Sequence, residues 1–213
     1  MPDKLIHERV IVYIDGFNLY FGMKEAGFNQ YRWLDLTKLV NNFLKANQTL
    51  EKVKYFTSKV RDNPDKLKRQ TTFIEAQQTK GVEIFYGKYQ LNTTECHICH
   101  NVWISPSEKM TDVNIATQML VDAYSDKFDV AILISGDSDL VPPIRAINDA
   151  FNNKNKRVTV LFPPKRFNNS VSYVAKGSEI IGRKRLKDSQ LEDRVKKADG
   201  YILTKPIEWI NLN

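Results

Sequence analysis

Runs of β-branched and aromatic residues that alternate with helix-period segments predict an α/β fold: a three-layer α/β/α sandwich around a mainly parallel sheet. Two runs carry most of the weight. Arg9 to Ile14 and Val130 to Ile134 are apolar on both faces, as central strands covered by helices on each side must be. Each ends abruptly in a polar turn, Asp15-Gly16 after the first and Ser135-Gly136-Asp137-Ser138-Asp139 after the second.

The elements follow in order. Asp35 caps a helix whose Leu36, Leu39, Val40, Phe43 and Leu44 recur at helical spacing. Val53 to Thr57 is a second strand. Asn63-Pro64 opens a long helix, with Asn as N-cap and Pro at the first position, and Gly81 ends it. Val82 to Leu91, rich in Tyr and Phe, reads as a third strand that runs into a cysteine-bearing turn, with Val102 to Ile104 pairing back as a hairpin. From Thr111 a helix turns Ala116, Met119, Leu120, Ala123 and Tyr124 inward. After the Val130 strand, Leu140, Ile144, Ile147 and Phe151 share a helix face, and Val158 to Phe162 is the fifth strand. Right-handed crossovers that wind outward both ways from the first strand give an order near 3-2-1-4-5. One domain over residues 1–180 is expected, with a hairpin insertion at about 88–105. A basic extension over 181–213 (Arg183, Lys184, Arg185, Lys187) is expected to leave the core before the apolar Ile207 to Ile210.

The 213 residues, 42% apolar and 27% charged, exclude a wholly disordered chain, a fibre and a disulfide-dense mini-protein. No apolar run reaches bilayer-spanning length, so no membrane role is expected. MPDKLIHERVIVYIDG lacks a signal-peptide core and only two cysteines occur, so a cytoplasmic protein is expected. The net charge of +7 suits a polyanion partner, and solubility alone explains it equally well.

In an open parallel sheet, ligands bind beyond the carboxyl ends of the strands, where strand order reverses. Asp15 directly follows the first strand, Asp137 and Asp139 the fourth, and Asp112 begins the helix leading into the fourth. Taken singly, each is explained as a helix cap or first-turn acid. Together they converge on one edge, where two bare carboxylates 4 Å apart repel by ~1–4 kcal/mol. Bound Mg²⁺ or Mn²⁺ removes that penalty, because hard cations prefer oxygen ligands.

Val12-Tyr13-Ile14-Asp15-Gly16-Phe17-Asn18-Leu19-Tyr20, Glu108-Lys109-Met110-Thr111-Asp112-Val113 and Ser135-Gly136-Asp137-Ser138-Asp139-Leu140-Val141-Pro142 occur in that order. These segments resemble the motifs of NYN domains, in the LabA-like (DUF88) branch of the PIN-like nuclease superfamily, over roughly residues 9 to 177. The resemblance implies a PIN-like sandwich and a metal-dependent ribonuclease. Asp15, Asp112, Asp137 and Asp139 would be the metal-site acids and Asn18 the polar partner that orients a ligand or substrate. Several LabA-like proteins are known better for regulatory roles than for a substrate. The alternative is therefore a non-catalytic RNA-binding or regulatory module that keeps the fold.

Cys96-His97-Ile98-Cys99-His100 places both cysteines within four residues. A zinc knuckle with Cys96, Cys99 and His100 as ligands is one reading, and a reduced pair without metal is the other. The fourth ligand would come from His97, His7, Glu95 or a second protomer, which would make a homodimer. For nucleic acid, Lys59 and Arg61 follow the second strand, and Lys165 and Arg166 the fifth, at the expected active edge. Lys109 and Ser138 lie beside the acids as further phosphate contacts. Tyr20, Phe21 and Phe28 are candidates to stack on unpaired bases, although aromatics at such positions more often pack beneath a helix.

Overall fold

A computed structural model describes residues 7–61, 63–151 and 156–210. The ends of the domain and of the extension drawn from the sequence, residues 1–6 and 211–213, lie outside the described residues.

The chain opens with β1 (Glu8–Asp15), α1 (Gly16–Glu25) and α2 (Leu36–Asn41), then β2 (Gln48–Thr57), α3 (Pro64–Thr79) and β3 (Glu83–Tyr86). A hairpin of β4 (Lys88–Glu95) and β5 (Val102–Lys109) precedes α4 (Thr111–Tyr124), β6 (Val130–Ile134), α5 (Val141–Ala150) and β7 (Arg157–Phe162). There follow α6 (Asn169–Val174), β8 (Ser178–Ile180), α7 (Arg183–Asp188) and an antiparallel pair, β9 (Arg194–Lys196) with β10 (Ile202–Thr204). The main sheet runs β3-β2-β1-β6-β7-β8, every pair parallel. Counting its strands alone, this is the expected 3-2-1-4-5 order with β8 added at one edge. Strand order reverses between β1 and β6.

Alternation along β1 explains why its sequence looks apolar throughout. Val10, Val12 and Ile14 enter one core with Leu19 and Met23 of α1 and Leu36, Leu39 and Val40 of α2. Ile11 and Tyr13 enter the other, with Ile115 and Met119 of α4 and Ile144 and Ile147 of α5. Beneath the second face, Asp122 accepts hydrogen bonds from Lys54 at 2.5 Å and from the Tyr13 hydroxyl at 2.8 Å, which compensates a fully buried carboxylate.

Three local expectations change. The single third strand is two strands, split at Gly87, where a Cβ would come within 2.6 Å of the Thr111 hydroxyl and 2.8 Å of the Lys109 carbonyl. The expected hairpin forms as β4 paired antiparallel with β5 over Lys88 to Lys109. On α4 the inward face is Ile115, Met119, Asp122 and Ala123, while Leu120 and Tyr124 face outward, Tyr124 being 83% exposed. The inward face therefore includes Asp122, whose burial the ion pair with Lys54 compensates. Finally, the basic C-terminal stretch stays on the domain. Ile181 and Leu186 join the first core, and Leu191, Val195, Leu203 and Trp209 pack with Trp33 and Ala76 in a third.

Candidate active site

The acids named from the sequence lie at the carboxyl edge, around the switch point between β1 and β6. Asp15, the last residue of β1, is 4% exposed and caps α1. Its Oδ1 accepts the Asn18 backbone N–H at 2.9 Å, and its Oδ2 accepts the Ser135 hydroxyl at 3.0 Å. Ser135 in turn accepts the Asp137 N–H at 3.1 Å, and Asp137 accepts the Asp139 N–H at 2.9 Å. The Asn18 side chain accepts the Gly136 N–H at 3.0 Å, tying the loop after β6 to α1. Gly136 has no substitute here: a Cβ would sit 1.8 Å from the Arg166 carbonyl oxygen. That close approach brings the loop after β7 against the acids.

Asp112 enters from the first turn of α4, on a chain reversed at Met110, whose φ of 76° is left-handed. Left-handed backbone is unfavourable for a residue with a Cβ, and such conformations cluster at functional sites. Glu108 ends up on the same edge. It belongs to the second motif, and nothing in the sequence shows that the Met110 turn folds it back beside Asp112.

The electrostatics report crowding. Burial pushes the Asp15 carboxyl up to about 6, with the charges of Asp112 and Asp137 adding to the effect. Burial, then Asp15 and Asp112, pushes Glu108 up to about 7. Asp112 is raised by burial and by Asp137 and Asp139. Among the described residues no three His, Cys, Asp or Glu side chains are drawn in tightly enough to form a ready-made metal group. The donors at the edge are all oxygens and carry like charge, a set that suits Mg²⁺ or Mn²⁺ and does not suit a thiophilic metal.

Of the nucleic-acid candidates, Lys165, Arg166 and Ser138 line a polar crevice of about 290 Å³ with Asn18 and Asp137. Arg166 is also paired with Glu25, and its Nε is buried without a hydrogen-bond partner among the described residues. Lys59 sits 5.0 Å from the Tyr86 ring centroid. Lys59, Arg61 and Lys109 are not among the residues lining that crevice. At the hairpin tip, Cys96 is partly exposed and Cys99 exposed. The backbone N–H groups of Cys99 and Ile98 hold the pKa of the Cys96 thiol below the usual range. The His100 imidazole lies 2.6 Å from the Glu95 carboxylate, so the tip offers two thiols and an imidazole already engaged elsewhere.

The NYN domain family model matches residues 9–179. A curated relative, 6-hydroxy-3-succinoylpyridine 3-monooxygenase HspA of Pseudomonas putida (strain DSM 28022 / S16), is 26% identical over 65% of this chain and 55% of that protein. The chain thus spans about half the length of the curated relative it matches. Among solved structures, a protein of unknown function, VPA0982 from Vibrio parahaemolyticus RIMD 2210633, is similar in fold. Its TM-score is 0.58 at 19% identity, covering 90% of this chain and 100% of that one.

Proposed function

The chain belongs to the NYN domain family, a PIN-like nuclease domain, and on that premise we propose that it is a Mg²⁺- or Mn²⁺-dependent endoribonuclease. The observation that supports this reading is the mutual repulsion at the sheet edge. Burial and neighbouring charge hold Asp15, Asp112 and Glu108 above the ordinary carboxyl range, which is costly unless a cation offsets it. Asp15, Asp112, Asp137 and Asp139 would hold that cation. When bound, a divalent ion polarises a phosphate oxygen, acidifies the attacking water and shields the leaving oxygen. Asn18 keeps the Gly136 loop in register with β1, which fixes Asp137 relative to Asp15. Lys165 and Arg166 supply charge for backbone phosphates on one flank, without reading sequence. Glu108, whose proton exchanges near neutral pH, is the candidate to relay a proton at the rim.

Labelled single-stranded, hairpin and circular RNA, each with Mn²⁺, Mg²⁺ or EDTA, test the reading. Cutting of circular RNA that needs the metal and disappears in Asp137→Asn is the expected result. Calorimetric Mn²⁺ titration should show weaker binding by that variant. RNA binding with no cutting under any metal would favour the regulatory module instead.

A further inference from the structure

On the flank of the acids opposite the polar crevice lies a cavity of about 430 Å³ between α1, β2, α3 and the C-terminal turn. Small-molecule sites commonly span roughly 300–1,000 Å³. Its walls are aromatic, including Tyr20, Phe21, Tyr55, Phe73 and Trp209. It adjoins the acids directly, because Glu108 and Gly16, the residue after Asp15, both line it. Trp209 arrives from the far end of the chain through the third core, so the basic C-terminal stretch completes this wall.

The cavity is also cationic. Arg32, Lys66 and Arg69 line it. Arg69 is paired with Glu208 at 2.7 Å. The Arg32 guanidinium stands 4.8 Å from the Tyr20 ring centroid and donates to the Asn29 side chain, yet its Nε is buried without a hydrogen-bond partner among the described residues. A buried donor without a partner in the chain is free to take an acceptor from a ligand or from water, and this one lies in a residue of the cavity wall. An aliphatic ligand would leave that donor unpaired, and a bare anion would leave the rings unused. A flat ring joined to an anionic group satisfies both.

We propose that this cavity is a subsite for one unpaired nucleotide of the strand being cut, its base stacked among the aromatic walls and its phosphate directed to Arg32. This rests on the ribonuclease reading above and adds a substrate requirement to it. A base held in a duplex stack cannot enter, so RNA must be single-stranded on this flank of the scissile bond.

Calorimetric titration of the full chain in EDTA, with AMP, UMP, adenosine, ribose 5-phosphate and benzoate, tests the subsite without metal or cleavage. Both mononucleotides should bind, with ribose 5-phosphate at least about tenfold weaker. Phe21→Ala should weaken AMP by about 5- to 150-fold, the size of one lost base–aromatic stack, and leave ribose 5-phosphate unchanged. Phe21 is 41% exposed, so its loss leaves the fold intact. Arg32→Gln should weaken AMP more than adenosine. Equal binding of AMP and ribose 5-phosphate, preference for benzoate over both nucleotides, or no heat with either nucleotide overturns the subsite. Because no metal is present, RNA cutting by a protein that ignores nucleotides removes the subsite alone. Nucleotide binding by a protein that never cuts RNA removes the nuclease reading alone.

Discussion

Replacing Asp15 with Asn should remove a loss of stability that the metal-free protein suffers as pH rises, although Asp15 makes two good hydrogen bonds. The folded carboxyl binds its proton more tightly than the unfolded one, at about 6 against an ordinary 3.8. Its contribution to stability is therefore full below about pH 4 and lost as pH climbs through 6. The whole span corresponds to ~3 kcal/mol, of which ~2.5 kcal/mol falls between pH 4 and pH 8. The substitution also disturbs the Ser135 hydroxyl, which donates to Asp15 and is fully buried. That loss is of order 1–3 kcal/mol and independent of pH, so it cancels when the two pH values are compared. Urea unfolding of both proteins at pH 4 and pH 8, in EDTA, isolates the charge. The variant should gain ~2.5 kcal/mol relative to wild type on going to pH 8, or ~5–10 °C in Tm for a chain of this size. Mg²⁺ should then close the gap, by ~2.7 kcal/mol at a hundredfold excess over its Kd, because it binds wild type preferentially. Identical pH profiles for the two proteins, or a wild type that gains on the variant as pH rises, would refute the crowded-carboxylate argument.

Three further outcomes are expected. Glu108→Gln should lower RNA cleavage by about 10²–10⁴-fold while leaving Mn²⁺ affinity within a few-fold, and single-turnover kinetics with calorimetry would expose any loss that belongs to metal binding instead. Lys165→Ala should lower the log–log salt dependence of RNA binding by about 0.7, the value of one neutralised phosphate, and Lys59→Ala should lower it less, because only Lys165 lines the polar crevice. Filter binding with Asp137→Asn protein across a salt series measures both, and a larger effect at Lys59 contradicts the assignment. Two thiols per chain fill half a tetrahedral zinc shell, so zinc retained by chelator-free protein should approach one ion per two chains and vanish in Cys99→Ser. Elemental analysis beside light scattering decides it, and one zinc per monomeric chain refutes the shared site.

The sequence by itself determined the sheet and its switch point. Period and punctuation are local: Arg9 to Ile14 and Val130 to Ile134 must be covered on both faces, and an Asp within three residues of the end of each marks where the carboxylates emerge. Three ordered motifs also determined the family. Only the tertiary structure decided what those acids meet. Glu108 joins them across a left-handed turn at Met110, and the single third strand read from the sequence is divided at Gly87. The outward turn of Tyr124 accompanies the burial of Asp122, whose ion-pair partner Lys54 lies 68 positions away. The fate of the C-terminal stretch was equally hidden. Leu191 and Val195 are single apolar residues among polar ones and Leu203 ends the short run Tyr201-Ile202-Leu203, too sparse a pattern to show a period. What gives them a place is the surface around Trp33 and Ala76, far away in the chain, and the same contact sets Trp209 into the wall of the aromatic cavity. Local propensity repeats every two or four residues and can be read in a short window, whereas a contact between distant residues exists only once the chain has closed on itself.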